Sequence, residues 1–256
     1  MTTNQAFEFL SRFSDPHCAR IICEHIPNMS LFTAYKIAIQ LYCKTPVAKI
    51  IHEKWFYGLP FYTNRHTLDP RPDTETLIES VLSDAPRNVN ILDIGTGTGC
   101  IIATLVKNIP ESTGTGIDKS YSALHVAARN INTLKLNNYI TLKHADFANP
   151  AAFNKKFDII VSNPPYIKKT DKRINAAAKH DPKIALYAKH NGLYAYEQIA
   201  KNAKNWIKPN GKIYLEIGVG MLNKVKKIFL ANHWVFIRVD KDLSNKQRVI
   251  VLTTNK

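Results

Sequence analysis

Residues 89–100 read Val-Asn-Ile-Leu-Asp-Ile-Gly-Thr-Gly-Thr-Gly-Cys, an apolar run that empties into three glycines and resumes as Ile101-Ile102-Ala103-Thr104-Leu105-Val106. A strand, a glycine-rich turn and a helix open a nucleotide-binding α/β unit, because glycine lets the backbone turn sharply and approach a ligand closely. About twenty residues later the next apolar run ends at Gly116-Ile117-Asp118, which puts a carboxylate where ribose hydroxyls would lie. The glycine spacing is G-x-G-x-G, with Thr96 and Thr98 between Gly95, Gly97 and Gly99 and with Asp93 just before them. Dinucleotide enzymes use G-x-G-x-x-G.

From Asn88 onward apolar strands and helical stretches alternate. Strands are expected near 90–95, 113–118, 139–144, 157–162, 211–217, 233–239 and 247–253. Such alternation predicts a doubly wound, mainly parallel α/β sheet covered on both faces. The last two strands, joined by a short polar loop, should pair antiparallel. Ligands in these sheets bind beyond the carboxyl ends of the strands. Gly95 to Gly99, Asp118, Asp146-Phe147 and Asn163 each follow one of four successive strands and should converge on one crevice. The Asp146-Phe147 pair is placed for a nucleobase, with Phe147 stacking on it.

Residues 163–166 read Asn-Pro-Pro-Tyr directly after the strand Phe157-Asp158-Ile159-Ile160-Val161-Ser162. Proline has no backbone N–H and a fixed φ, so Pro164 and Pro165 present carbonyls on a rigid turn without competing donors. The Asn163 oxygen and the Pro164 carbonyl can accept the two hydrogens of a planar –NH2 group while the Tyr166 ring packs on its flat face. An amide and the exocyclic amine of a base both fit.

Before this unit, apolar residues recur at helical spacing: Phe7, Leu10 and Phe13; Ala19, Ile22 and Cys23; Ala34, Ile37, Ala38 and Leu41. Asp15-Pro16 and Asn28-Met29-Ser30 supply breaks and caps. The aromatic run 55–62 carries the turn signal Gly58-Leu59-Pro60 and predicts a β-hairpin. Asp73 or Thr74 is expected to cap the following helix. The predicted organisation is a helical domain over 1–53, a hairpin linker over 54–70 and the α/β domain over 71–256. The 24-residue-scale segment from Lys168 to Asn191 exceeds common loop lengths and is expected to help hold the substrate.

No apolar run approaches the ~18 residues that span a bilayer, and the first residues lack a signal-peptide pattern. Cys18, Cys23, Cys43 and Cys100 show no metal-binding spacing, so no metal is expected and reduced thiols point to a cytoplasmic protein. The 35 Lys and Arg against 20 Asp and Glu give a formal net charge of +15. The basic groups Lys155-Lys156, Lys168-Lys169 with Lys172-Arg173, and Lys224-Lys226-Lys227 are scattered and form no aromatic-interleaved stripe, which disfavours direct nucleic-acid binding.

The glycine pattern with Asp93 resembles the cofactor motif of S-adenosylmethionine-dependent methyltransferases. With Arg71-Pro72-Asp73-Thr74-Glu75 upstream and Asn163-Pro164-Pro165-Tyr166 after it, the chain resembles the HemK/PrmC family of protein glutamine methyltransferases. Gly58-Leu59-Pro60-Phe61, Asp181-Pro182, Ala185-Leu186, Gly192-Leu193, Leu215-Glu216-Ile217-Gly218 and Arg248-Val249 stand in the family's order. The resemblance implies a seven-stranded Rossmann-like methyltransferase domain and S-adenosyl-L-methionine as cofactor, held by Gly95, Thr96, Gly97, Thr98, Gly99, Asp118, Asp146, Phe147 and Asn163. It implies catalysis by Asn163, Pro164, Pro165 and Tyr166 on the glutamine of the Gly-Gly-Gln tripeptide of class 1 translation release factors, with the enzyme monomeric and no membrane partner. Other acceptors left open are an adenine or guanine exocyclic amine and a ribosomal-protein glutamine. The chain departs from the family in a shorter helical region, in His52 where a glycine is usual and in Asp181 where Glu is usual.

Overall fold

The computed structural model describes residues 1–149, 155–168, 170 and 177–254. Lys169, Lys172 and Arg173 of the predicted basic groups, and with them part of the predicted substrate segment, lie outside the described residues. The chain opens with α1 (Thr3–Leu10), α2 (Pro16–His25), α3 (Leu31–Tyr42) and α4 (Val47–Ile51). The Asp15 carboxylate accepts the Cys18 N–H at 3.0 Å and the Ser30 hydroxyl accepts the Thr33 N–H at 3.1 Å, so side-chain oxygens satisfy otherwise orphaned helix donors. Leu10, Ala19, Ile22, Cys23, Ala34, Ile37 and Leu41 share one apolar cluster. Phe13 departs from the predicted pattern. The helix ends before it, and its ring, 37 % exposed, leans on Phe9. Along α3, Phe32, Tyr35, Ile39 and Tyr42 form a stripe of exposed apolar side chains.

Strands β1 (Glu53–Phe56) and β2 (Leu59–Tyr62) make the hairpin. Its turn is Tyr57-Gly58, both at positive φ, as a two-residue turn matched to strand twist demands. The turn therefore precedes the predicted Gly58-Leu59-Pro60, and Leu59 and Pro60 belong to β2. His52 stands at φ 59° at the end of α4, a conformation in which glycine costs nothing.

A seven-stranded sheet follows, with α5 (Glu75–Leu82), β3 (Asn90–Ile94), α6 (Cys100–Asn108), β4 (Thr113–Asp118), α7 (Tyr121–Thr133), β5 (Ile140–His144) and β6 (Phe157–Ser162). After it come the two-residue strands β7 (Ile167–Lys168) and β8 (Tyr187–Ala188), which pair with each other around α8 (Lys183–Leu186), then α9 (Lys189–Gly192) and α10 (Tyr194–Asn202). The chain finishes with β9 (Ile207–Glu216), α11 (Leu222–Ala231), β10 (Trp234–Lys241) and β11 (Gln247–Thr254). The order is β10-β11-β9-β6-β3-β4-β5, parallel except where β11 runs against both β9 and β10. All seven predicted strands are present, and so is the reversed partner at the end.

Alternate residues of each central strand feed opposite layers, as the period of two requires. Ile91, Ile159, Val161, Tyr214 and Val251 pack under α5 and α6, while Leu92, Ile160, Ile213, Leu215 and Ile250 pack under α10 and α11. Each such side chain, fully buried, contributes about 1.5–3 kcal/mol.

One buried cation ties the helical region to the sheet. Lys49 of α4 places Nζ 2.6 Å from Asp69 Oδ1 and 3.2 Å from Asp181 Oδ1, and donates to the Thr63 hydroxyl and the Asn64 carbonyl. Arg71 donates to the other Asp181 oxygen at 2.5 Å. Asn130 of α7 adds a second tie, pairing with both backbone groups of Tyr62 and donating to the Thr98 carbonyl at the glycine turn.

Candidate active site

The chain order reverses beside β3, whose neighbours are β4 on one side and β6 on the other. The turn after β3 is held from below: Gly95 and Thr96 donate backbone N–H to the Ile117 carbonyl at 2.9 and 2.8 Å, and the Thr96 hydroxyl donates to buried Asp93 at 2.7 Å. Gly95, Gly97 and Gly99 all have positive φ. A Cβ on Gly95 would meet open space, whereas one on Gly99 would come within 3.3 Å of Ala127 on α7. Gly95 is thus required by conformation, and Gly99 by helix contact as well.

Asp118, the last residue of β4, accepts the Gly97 N–H at 3.0 Å through one oxygen and the Ser120 N–H at 2.8 Å through the other. Burial raises its carboxyl above the usual range despite these donors. The same turn, Asp118, Asp146, Phe147 and Asn163 line one cavity of about 300 Å³. The predicted convergence of four strand ends is therefore present. Asp146 is not a bare acceptor there: Lys119 donates to one oxygen at 2.7 Å and the Ala148 N–H to the other at 2.9 Å, and its carboxyl lies below the usual range. Phe147 is half-buried and also packs on the core under α10.

A second cavity, a trough of about 910 Å³, opens on the other side of the Asn-Pro-Pro-Tyr turn. Leu68, Arg71, Asn163, Pro165 and Ala185 line both cavities, and Pro164, Tyr166 and Glu216 line the trough alone. The Ser162 hydroxyl anchors the turn by donating to the Ile94 carbonyl at 2.7 Å. The segment from Lys168 to Asn191 is not one long loop. Its described part carries short helical turns and β8, with Pro182, Ile184 and Tyr187 facing the smaller cavity and Ala178 and Leu186 the trough.

Thr74 does not cap α5, and neither does Asp73; the helix is entered through a 3-10 turn with no side-chain cap. The Thr74 hydroxyl instead donates to Glu216 Oε2 at 2.6 Å and accepts the Asn163 Nδ2–H at 3.1 Å. With Nδ2 engaged, Oδ1 is the acceptor that Asn163 has left to offer. Glu216 ends β9, 2 % exposed, and the Tyr166 hydroxyl lies 3.5 Å from its Oε1. Desolvation pushes the Glu216 carboxyl up to about 7, against the Thr74 hydrogen bond and the Arg248 charge that lower it. Sequence reasoning assigned no site role to Glu216 or Thr74. The available signal was a carboxylate at the carboxyl end of the apolar run Ile213-Tyr214-Leu215.

The methyltransferase small domain family matches residues 66–180. The release factor glutamine methyltransferase of Flavobacterium psychrophilum is 33% identical, over 88% of this chain and 81% of that protein. The chain belongs to the release factor glutamine methyltransferase family. A bifunctional methyltransferase of Rickettsia prowazekii is 38% identical over 81% of this chain, which spans only 44% of that relative's length. Among solved structures, a methyltransferase from Pyrococcus furiosus superposes with a TM-score of 0.60 at 17% identity, covering 87% of this chain and all of that one; it supports the Rossmann-like methyltransferase fold. The family's cofactor is S-adenosylmethionine. The first cavity fits it, because the open space over Gly95 and the Asp118 carboxylate offer backbone approach and a hydroxyl acceptor in one crevice. No helix among the described residues is long and apolar enough to cross a membrane.

Proposed function

We propose that this chain transfers a methyl group from S-adenosylmethionine to the side-chain amide nitrogen of the glutamine in the Gly-Gly-Gln motif of class 1 translation release factors. The observation that carries this is the meeting of two cavities at Asn163 and Pro165, with the Asn163 amide turned so that its oxygen is the free end. Gly95, Thr96, Gly97, Thr98 and Gly99 would cradle the cofactor, Asp118 would take its ribose hydroxyls, and Asp146 and Phe147 would flank its adenine. When bound, S-adenosylmethionine supplies an electrophilic methyl on a sulfonium.

An amide nitrogen attacks poorly because its lone pair is delocalised into the carbonyl. Asn163 Oδ1 and the Pro164 carbonyl would accept its two hydrogens, hold it in line and favour pyramidalisation as the new bond forms. Tyr166 would lie against the amide plane. The nitrogen needs no ionised base beforehand: as its bond to the methyl forms, the sulfonium–methyl bond would break to leave a neutral thioether, and the proton, acidic only then, would pass to water.

Residues 1–53 would dock the protein substrate, with the hairpin over 54–70 as linker and 71–256 as the catalytic unit. The exposed stripe Phe32, Tyr35, Ile39 and Tyr42 supports this. A monomeric cytoplasmic enzyme completes the proposal. Radiolabelled methyl transfer to a purified class 1 release factor, a ribosomal-protein fraction and nucleic acid, followed by mass spectrometry of the Gly-Gly-Gln peptide, tests it. Label on the glutamine is expected. Label confined to nucleic acid would replace this proposal with an amino-methyltransferase acting on a base.

A further inference from the structure

Three residues that are far apart in the chain form one hydrogen-bonded line into the acceptor site: Glu216 from β9, Thr74 from the turn before α5, and Asn163 after β6. Thr74 and Glu216 are buried, at 3 % and 2 % exposure, so water does not offer them alternative partners. A hydroxyl has one hydrogen to give. Because Thr74 gives it to the Glu216 carboxylate, it can only accept from Asn163, and the Asn163 amide must present N–H to Thr74 and oxygen to the substrate side.

We propose that Glu216 and Thr74 are positioning residues that set the polarity of the Asn163 amide, so that an ionised Glu216 is what makes Asn163 an acceptor. This rests on the acceptor role proposed above. Were Glu216 protonated, it could donate to Thr74. The Thr74 hydroxyl would then donate to Asn163 Oδ1, and the amide would turn its N–H pair toward the incoming amine. Two donors would face each other.

The groups around Glu216 come from every element packed on it. Tyr166 and Asp73 line the trough, Arg248 of β11 pairs with Asp73 at 2.8 Å and Asp242 at 2.9 Å, and the Tyr196 hydroxyl of α10 donates to the Glu216 carbonyl at 2.8 Å. Burial raises the Glu216 carboxyl to about 7. Turnover in the wild type is accordingly expected to rise through neutral pH.

Thr74→Val keeps the shape and removes the hydroxyl. It should lower kcat by roughly tenfold to a hundredfold while leaving S-adenosylmethionine affinity unchanged by calorimetry, and Thr74→Ser should restore kcat. Full kcat in Thr74→Val, or equal loss in Thr74→Ser, overturns the proposal. Glu216→Gln offers Thr74 an acceptor at every pH and should flatten the neutral limb of the pH–kcat profile; an unchanged limb counts against the proposal. The Asn163 side-chain N–H resonances, followed by NMR, should titrate with Glu216 in the wild type and cease to do so in Thr74→Val. That measurement needs no acceptor. A wild type inert on release factor but showing this titration would sink the proposed substrate and leave the hydrogen-bonded line standing; an active wild type without it would do the reverse.

Discussion

In the cavity beside Gly95–Gly99 the glycine turn and Asp118 are held by backbone N–H groups, whereas at the trough beside Tyr166 the polar side chains Asn163, Thr74 and Glu216 hold one another. In the first, Asp118 is fixed by Ser120 in its own strand-turn-helix unit and by Gly97 in the unit just before it. In the second, Asn163 is fixed by Thr74 and Thr74 by Glu216, across sequence separations of 89 and 142 residues. Backbone scaffolding tolerates change in side chains. A side-chain line fails if any member loses its partner.

That contrast sets the size and kind of effect expected from each side. Asn163→Ala should cut kcat by about a hundredfold or more, since it deletes a preorganised acceptor at the reacting nitrogen, with S-adenosylmethionine affinity unchanged in calorimetry. Parallel loss of affinity and turnover would mean that the two cavities are not separable. Asp118→Ala should do the opposite, weakening S-adenosylmethionine binding by roughly tenfold to a hundredfold, as expected for a lost hydrogen bond to a charged group, with a much smaller change in kcat at saturation. An unchanged dissociation constant would remove Asp118 from the ribose site.

Stability against pH sharpens the comparison from another direction. Burial raises Glu216 in the trough from 4.5, and Asp93 beneath the glycine turn from 3.8, both to about 7. A carboxyl whose folded pKa is raised stabilises the fold fully below its unfolded pKa, and that stability is lost as pH climbs to the folded value. Urea unfolding should therefore show stability falling between about pH 4 and pH 7, by on the order of 3–4 kcal/mol per group. Glu216→Gln and Asp93→Asn should each remove part of the slope. A flat wild-type profile would show that neither group titrates in that window. The smallest effect belongs at the rim. Lys119→Ala breaks the half-exposed Lys119–Asp146 pair, which is worth less than about 1 kcal/mol, so cofactor affinity should move by only a few-fold; a larger change would give Asp146 more weight than its exposure supports.

How far the sequence revealed each side follows from the same contrast. The seven strands, their antiparallel close and the glycine turn were legible because each is encoded locally, by a period of two or by a positive-φ residue at a fixed offset. The ends of four strands were enough to place Gly95, Asp118, Phe147 and Asn163 around one cavity. The Thr74–Glu216 line was hidden because nothing local distinguishes it. Thr74 before an apolar helix looks like a cap, and only the tertiary fold brings a buried carboxylate within 2.6 Å to claim its hydrogen instead. The hairpin turn fell one residue early because Tyr57, not a usual turn former, takes up positive φ beside Gly58. In the helical region α4 was missed, being five residues long and too short for periodicity to register.

Lys49 carries a consequence for how the molecule assembles. Its ammonium is the countercharge for Asp69 and Asp181, which lie in different segments beside the crevice and are themselves buried. Removing the chain up to the end of α4 would leave Asp69 without its cation and Asp181 with Arg71 alone, a loss of several kcal/mol. The helical region and the segments beside the crevice thereby share one set of buried charges, and the two are expected to unfold together rather than one after the other.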